Sequence, residues 1–389
     1  MATNPVTTAL AKLNPLGALR RHPLAAAAIA PLALVGLVVA TTSLPAPSPP
    51  PRDDGAFVLA RGAVDGSTYP GAQWARAAAP EALGWSAEKL AEARAYSREL
   101  GSSAVVIVDR GVVVDAWGDL TKTYQCRSMR KSFLSALYGR PVEEGLVRLD
   151  ATLAELGVDD EPPLTPAEKR ATVFDLLTAR SGVYHPANFE SSGMRRKRPN
   201  RGSEAPGERW FFNNWDFNAL GTIYEEATGE RVFDAFDAEI AKPIGMERFS
   251  IEDTQYHRGD DSVHPAYRFR MSPLDAARFG LLMARGGVWN GERVVSAAWL
   301  RRSTRAYVDT GRQGFHAGYG FMWWVGDDGF AAVGARGQRI FVMPSRDIVV
   351  AHFVDADVDD LRVRTSDIRR LLQRILDAKI GDGAKARAA

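Results

Sequence analysis

Cysteine is almost absent. Cys126 is the only one in 389 residues, so an intrachain disulfide is excluded and any metal site would have to be built from histidines and carboxylates. The six histidines show no H-E-x-x-H or comparable spacing, which argues against a metal enzyme, and no cofactor is implied. Nothing beside Cys126 resembles a base that would lower its thiol pKa, so it is not read as a nucleophile. A surplus of one charge is missing as well. The net charge is only +2, and nothing points to a nucleic-acid partner. The densest basic run, Arg195, Arg196, Lys197 and Arg198, sits among Gly, Pro, Asn and Ser and reads as a solvated loop. There is no G-x-S-x-G, no Walker A sequence and no Gly-rich dinucleotide fingerprint, so the α/β-hydrolase elbow, phosphoryl transfer and hydride transfer lose their usual anchors. No repeat at solenoid periods is present.

Residues 1–50 also lack Asp and Glu. Arg20 and Arg21 precede an apolar run from Pro23 to Ala40, and a Pro-rich stretch, Leu44 to Arg52, follows it. A positive flank before a long apolar segment is an export signal. At about 18 residues the run approaches a membrane span. No A-x-A-like exit is clear, which favours an anchor over a cleaved signal. The positive flank would keep residues 1–22 in the cytoplasm. The expected division is therefore 1–22 as the n-region, 23–43 as signal anchor or signal peptide, and 44–79 as linker. A folded domain over 80–378 and a polar tail over 379–389 complete it. That domain is expected outside the cytoplasm, in the cell envelope.

Within it, Ser86 to Leu100 reads as a capped helix ending before Gly101. Ala104–Val108, a turn at Asp109-Arg110-Gly111, and Val112–Trp117 read as a β-hairpin. A helix is expected from Ser128 to about Tyr138. From Pro163 to about Leu300 the pattern is mostly helical, as in Val173–Ala179, Phe217–Thr228 and Pro273–Arg285. Strand signals return at Tyr319–Val325, Ala331–Val333, Arg339–Met343 and Ile348–Phe353, before an amphipathic helix over Arg362–Leu376. Strands at both ends with helices between them predict an α+β fold. One antiparallel sheet, flanked by helices, would be completed by both chain ends around an inserted, mainly helical lobe.

The chemistry-bearing motif is S-x-x-K. Residues three apart share a helix face, so a serine hydroxyl and a lysine amine at that spacing can touch. A buried lysine loses its proton and can then act as base toward the serine. A serine at a helix start also has backbone N–H groups beside a developing oxyanion. The motif occurs twice. Ser86-Ala87-Glu88-Lys89 is explained by an N-capping serine and a solvated lysine. Ser128-Met129-Arg130-Lys131 follows a hairpin and opens a helix carrying Phe133, Leu134 and Leu137, and is the candidate nucleophile and base.

Further residues follow in order. Phe212-Asn213-Asn214 precedes Trp215-Asp216-Phe217-Asn218-Ala219-Leu220-Gly221. Upstream stands Leu176-Leu177-Thr178-Ala179-Arg180-Ser181-Gly182-Val183. Downstream are Pro273–Gly291 and Ala335-Arg336-Gly337-Gln338. Over residues 80–378 this order resembles the serine β-lactamase and penicillin-binding-protein superfamily, closest to its class C and esterase-like branch. The resemblance implies a hydrolase that forms an acyl-enzyme on Ser128 with Lys131 as base. Asn214 would be the amide of the Y-x-N motif, orienting Lys131 and substrate, and the Gly337–Gln338 backbone would be an oxyanion donor beside Ser128. Two departures stand out. Phe212 occupies the place of the proton-relaying tyrosine, and Ala335 replaces the Lys or His of the third motif. Tyr184 and His185, on a loop that by resemblance passes near the site, are candidates for the missing relay. Loss of the third-motif cation favours esters or small amides over β-lactams. The expected partners are a small ester, amide or peptide substrate and, through the N-terminal segment, a membrane. The competing expectation is a catalytically degenerate domain that binds cell-wall fragments or a partner without turnover, which Phe212 favours.

Overall fold

The computed structural model describes residues 68–358 and 363–381. The expected export segment at 23–43 lies outside them. Among the described residues no helix is long and apolar enough to cross a membrane.

The β-branched runs form β1 (Ala104–Asp109) and β2 (Val112–Gly118). Their turn residues Arg110 and Gly111 have φ of 51° and 79°, the left-handed pair that matches strand twist in a two-residue hairpin. Gly111 is also required by space, because a Cβ there would lie 1.7 Å from the Thr68 carbonyl oxygen. In chain order β3 (Tyr124–Gln125), β4 (Thr254–Gly259), β5 (Ser262–Met271), β6 (Val288–Trp289) and β7 (Glu292–Arg293) follow. The remaining strands are β8 (Val308–Asp309), β9 (Gly318–Tyr319), β10 (Trp324–Gly326), β11 (Gly329–Val333), β12 (Arg339–Met343) and β13 (Ile348–Phe353). The main sheet is antiparallel, in the order β2-β1-β13-β12-β11-β10-β9-β8. Its first and last strands meet at β1 and β13, where Ala104 faces Phe353. The fold is α+β, with both chain ends completing one sheet.

Every residue of β1 is buried, because both faces of the sheet are covered. Val105 and Ile107 join Leu371, Leu372 and Ile375 of the closing helix Thr365–Asp377, together with Leu90 of the helix Ala87–Glu99. Val106 and Val108 face the larger core, which holds the helix Pro273–Ala284 and the helical lobe. Gly280 lets that helix approach, since a Cβ there would be 2.5 Å from Val349 Cγ1 and 2.9 Å from Ile340 Cγ2.

Three differences from the sequence reading matter. The region read as mostly helical contains the β4–β5 hairpin, which pairs with β3 in a second sheet. Pro265 and the charged residues Arg258, Arg268 and Arg270 obscured its alternation. The run Tyr319–Val325 is broken, with Met322 at φ 61°. Finally, the described part of the expected linker lies along β2. Trp74 is buried there, and Val113 N donates to Ala75 O at 2.9 Å. Lys379, assigned to the tail, reaches Asp109 Oδ2 at 2.6 Å.

Candidate active site

The two S-x-x-K copies separate on geometry. Ser86 Oγ accepts from Lys89 N at 3.3 Å as a helix cap, and Lys89 Nζ reaches out to the Asp377 carbonyl. Ser128 caps nothing. The chain leaves β3, turns through Arg127 at φ 52°, and passes Ser128 in a 3₁₀ turn, Arg127–Met129, that runs into the helix Arg130–Leu137. Ser128 is half-buried, and its Oγ lies 2.9 Å from Lys131 Nζ.

That helix is fastened from below. Ser132 Oγ donates to Met322 O at 2.9 Å and Ser135 Oγ to Phe321 O at 2.6 Å. The carbonyls they use are those exposed by the break between β9 and β10. Met322 N in turn donates to Leu177 O at 3.0 Å, so sheet, nucleophile helix and helical lobe are joined at one point.

Lys131 is 2 % exposed. Burial, and then the adjacent charge of Arg130, push its amine well below the usual lysine value. Its Nζ sits 5.0 Å from the centre of the Phe212 ring and 4.9 Å from that of Phe217. Ring faces favour the ammonium by about 0.5–2 kcal/mol, whereas removing an ion from water costs several kcal/mol. Desolvation outweighs the rings, so the balance favours loss of the proton at a lower pH than for an exposed lysine. Arg130 is fully buried beside it, donating through Nη2 to Asn218 Oδ1 at 2.9 Å and lying 4.2 Å from the Tyr267 ring centre.

The Phe212–Asn214 segment opens the helix Asn214–Thr228. Asn213 caps it and also donates to Val183 O at 2.7 Å. Asn214 Nδ2 donates to Phe189 O at 2.9 Å, while its Oδ1 is buried with no hydrogen-bond partner. Phe212 stacks on Trp324 with centroids 5.7 Å apart. The aromatic run over 210–217 therefore divides, with Trp215 in the core and Phe212 and Phe217 facing Lys131.

The two relay candidates have other partners among the described residues. His185 is buried with Nδ1 at 3.0 Å from Pro186 O and Nε2 at 3.3 Å from Pro162 O. It belongs to a network around Asp160, which also accepts from Trp215 Nε1 and Ser262 Oγ. Tyr184 is buried with its ring edge-on to Phe211 and its hydroxyl without a partner. Burial raises that phenol to about 12.

The third-motif segment does lie against the nucleophile. A Cβ at Gly334 would be 2.5 Å from Cys126 O and 3.2 Å from Arg127 Cβ. Gly337 has φ 118°, and its carbonyl is 2.7 Å from His352 Nδ1. Burial holds His352 down at about 4, so the ring is neutral. Nδ1 must then carry the proton it donates to the carbonyl, and Nε2 accepts from Ser102 Oγ at 2.7 Å. Gln338 is locked by its own amide, donating to Val354 O at 2.8 Å and accepting from Val354 N at 2.9 Å. The oxyanion candidates thus sit on a rigid strand start. Ala335 is exposed, and Arg336 donates to Ala356 O and Val358 O at 3.2 and 3.0 Å.

Sequence reasoning placed Phe217 in an aromatic cluster that could be core or pocket lining, without its contact to Lys131, and it missed Phe189 and His352. Phe217 had a signal, since it stands one helical turn beyond Asn214 on the same face. Phe189 and His352 had none, because their roles arise from segments brought together only by the fold.

The family model described as Beta-lactamase matches residues 87–373. Among solved structures, the chain is similar to a Bacillus anthracis protein assigned as a 6-aminohexanoate-dimer hydrolase. The identity is 17%, the TM-score is 0.60, and the match covers 82% of this chain and 88% of that one. An octameric penicillin-binding protein homologue from Pyrococcus abyssi matches at 19% identity and TM-score 0.55, over 75% of this chain and 77% of that one. A penicillin-binding protein from Bacillus halodurans matches at 14% identity and TM-score 0.53, over 72% and 98%. At these identities the likeness is one of fold.

Proposed function

Because this chain belongs to the β-lactamase family, most of whose members are serine hydrolases, we propose that it cleaves an ester or small amide through an acyl-enzyme on Ser128. The observation that carries this reading is the 2.9 Å contact between Ser128 Oγ and the buried Lys131 Nζ. Neutral Lys131 takes the hydroxyl proton as Oγ bonds to the substrate carbonyl carbon. The oxyanion is met by the N–H of Ser128 and by the backbone at Gly337–Gln338. As the tetrahedral intermediate collapses, the Lys131 ammonium returns its proton to the departing alcohol or amine. Water then attacks the acyl-enzyme, losing a proton to Lys131, which passes it to Ser128 Oγ as the C–Oγ bond breaks and the acid is released.

Phe212 cannot relay a proton, so Lys131 performs both transfers. The Phe212 and Phe217 faces supply a weak stabilisation of the ammonium formed in each half-reaction. Asn214 Oδ1, without a partner among the described residues, is available to accept from that ammonium or from a substrate amide N–H.

Hydrolysis of a panel of nitrophenyl esters and anilides by the full chain tests this. Turnover that disappears in Ser128→Ala and Lys131→Ala, with both variants folded, supports it. Substrate binding without turnover would instead favour the degenerate binder, with Phe212 the reason.

A further inference from the structure

A cavity of about 310 Å³, lined by the residues Arg127 and Arg130 that flank Ser128 in the chain, lies between the second sheet and Phe189. Four arginines line it, Arg127, Arg130, Arg268 and Arg270, against two acids, Glu252 and Asp253. Arg270 is neutralised by Asp357, with Nη1–Oδ1 and Nη2–Oδ2 at 3.2 and 2.6 Å. The other three have no carboxylate within 4.0 Å among the described residues. Arg130, 1 % exposed, keeps Nη1 without a hydrogen-bond partner. Arg127 donates only through Nη2, to the Ala356 carbonyl, leaving Nε buried and unmatched. Arg268 meets the neutral Gln255 amide at 3.3 Å. The guanidinium carbons of Arg127 and Arg268 stand 5.8 and 5.0 Å from the centre of one ring, that of Phe189.

A half-buried cluster of like charges is stable only if something compensates it. Burial, then the charges of Arg336 and Arg268, push Arg127 below the usual guanidinium value. Glu252 is exposed, and Asp253 accepts from Thr123 Oγ1 at 3.2 Å. Neither bonds to Arg127 or Arg268. Phe189 holds a φ of 65°, an expensive conformation for a bulky residue, and its carbonyl accepts from Asn214. The Phe189 backbone is thereby tied to Asn214 at the start of the helix Asn214–Thr228. Strained, over-determined positions of this kind gather at functional sites.

We propose that Arg127, Arg268 and Phe189 form a carboxylate-binding subsite, so that the preferred substrate is an ester or amide carrying a carboxylate beyond a short apolar spacer. This rests on the acyl-enzyme reading of Ser128. Arg127 and Arg130 flank Ser128 in the chain and both line the cavity, so an anion held there can belong to the same molecule as the scissile carbonyl. The spacer lies on the Phe189 ring, and the carboxylate takes charge-assisted hydrogen bonds from the guanidinium groups.

The test compares p-nitrophenyl hexanoate with mono-p-nitrophenyl adipate, of equal acyl chain length, in the full chain and in Arg268→Gln and Arg268→Glu. The expected result is a kcat/KM ratio of adipate to hexanoate above one in the parent. The ratio falls about tenfold in Arg268→Gln and further in Arg268→Glu, the size expected for a lost charge-assisted bond. The fall should be carried by KM. Parallel loss on both esters in the two variants, or a parent ratio below one, would overturn the proposal. If neither ester is turned over, the acyl-enzyme reading fails separately, and adipate binding by calorimetry then decides. Binding weakened about tenfold in Arg268→Glu supports the anion site alone, and absence of binding to the parent overturns it.

Discussion

At the scale of residues, the central fact is a lysine amine enclosed by two phenyl rings, a serine oxygen and a buried arginine. Lys131 has a folded pKa below its unfolded value of about 10.4. Between those two values the unfolded chain binds a proton that the folded chain does not, so stability rises with pH through that window. The amine therefore costs stability near neutral pH, and Lys131→Met is expected to raise the melting temperature there while abolishing turnover. Thermal melts at several pH values check this, since the gap between variant and parent should close as the pH approaches 10. The same shift gives kcat/KM an ascending limb well below the ordinary lysine range, because only the neutral amine is a base. Much of this was legible in the sequence. A spacing of three and a following apolar face point to the Ser128–Lys131 contact. What no local pattern reveals is that His185, besides the adjacent Pro186 carbonyl, is held by the Pro162 carbonyl and Asp160, more than twenty residues earlier in the chain. Tyr184 and His185 adjoin in sequence, yet their environments are set by different partners.

Single elements carry two further consequences. The helix Pro273–Ala284 rests on the sheet through Gly280, where a methyl would meet Val349 Cγ1 at 2.5 Å. Gly280→Ala would gain about 1 kcal/mol of helix propensity but lose about 1–3 kcal/mol to overpacking between two buried strands. The account expects net destabilisation, read as a lower urea midpoint. At β12 and β13, His352 holds the Gly337 carbonyl and Ser102 fixes the imidazole tautomer. His352→Phe keeps the ring volume and removes the donor. A fall in kcat of about tenfold with little change in KM is expected, less than the hundredfold or more that follows loss of a direct oxyanion donor. Steady-state kinetics on one ester separates the two parameters. The strands at the chain ends were readable because burial on both faces leaves unbroken β-branched runs such as Ala104–Val108. The β4–β5 hairpin was hidden for the opposite reason. It exposes one face and carries Pro265, His257 and three arginines, so its period of two is diluted.

For the molecule as a whole, the two ends of the domain are tied at a single carboxylate. Asp109, at the end of β1, accepts from Trp85 Nε1 at 2.7 Å and from Lys379 Nζ at 2.6 Å. Asp109→Ala would leave the buried Trp85 Nε1 unmatched, at about 1–3 kcal/mol, and Lys379 with only the Leu83 carbonyl. Chemical denaturation should show that loss with the slope unchanged. The anchoring of both termini to one sheet makes the cleft between sheet and helical lobe a fixed frame, with Ser128 at the junction of β3, the 334–338 segment and the lobe. Its purpose in this account is to activate one hydroxyl. The most direct measurement is intact-mass spectrometry of the full chain after exposure to a fluorophosphonate, with peptide mapping and parallel Ser128→Ala and Lys131→Ala samples. The account predicts one adduct, on Ser128, absent from the first variant and slowed strongly in the second. A folded parent that takes no adduct, or that takes it equally fast without Lys131, would contradict it.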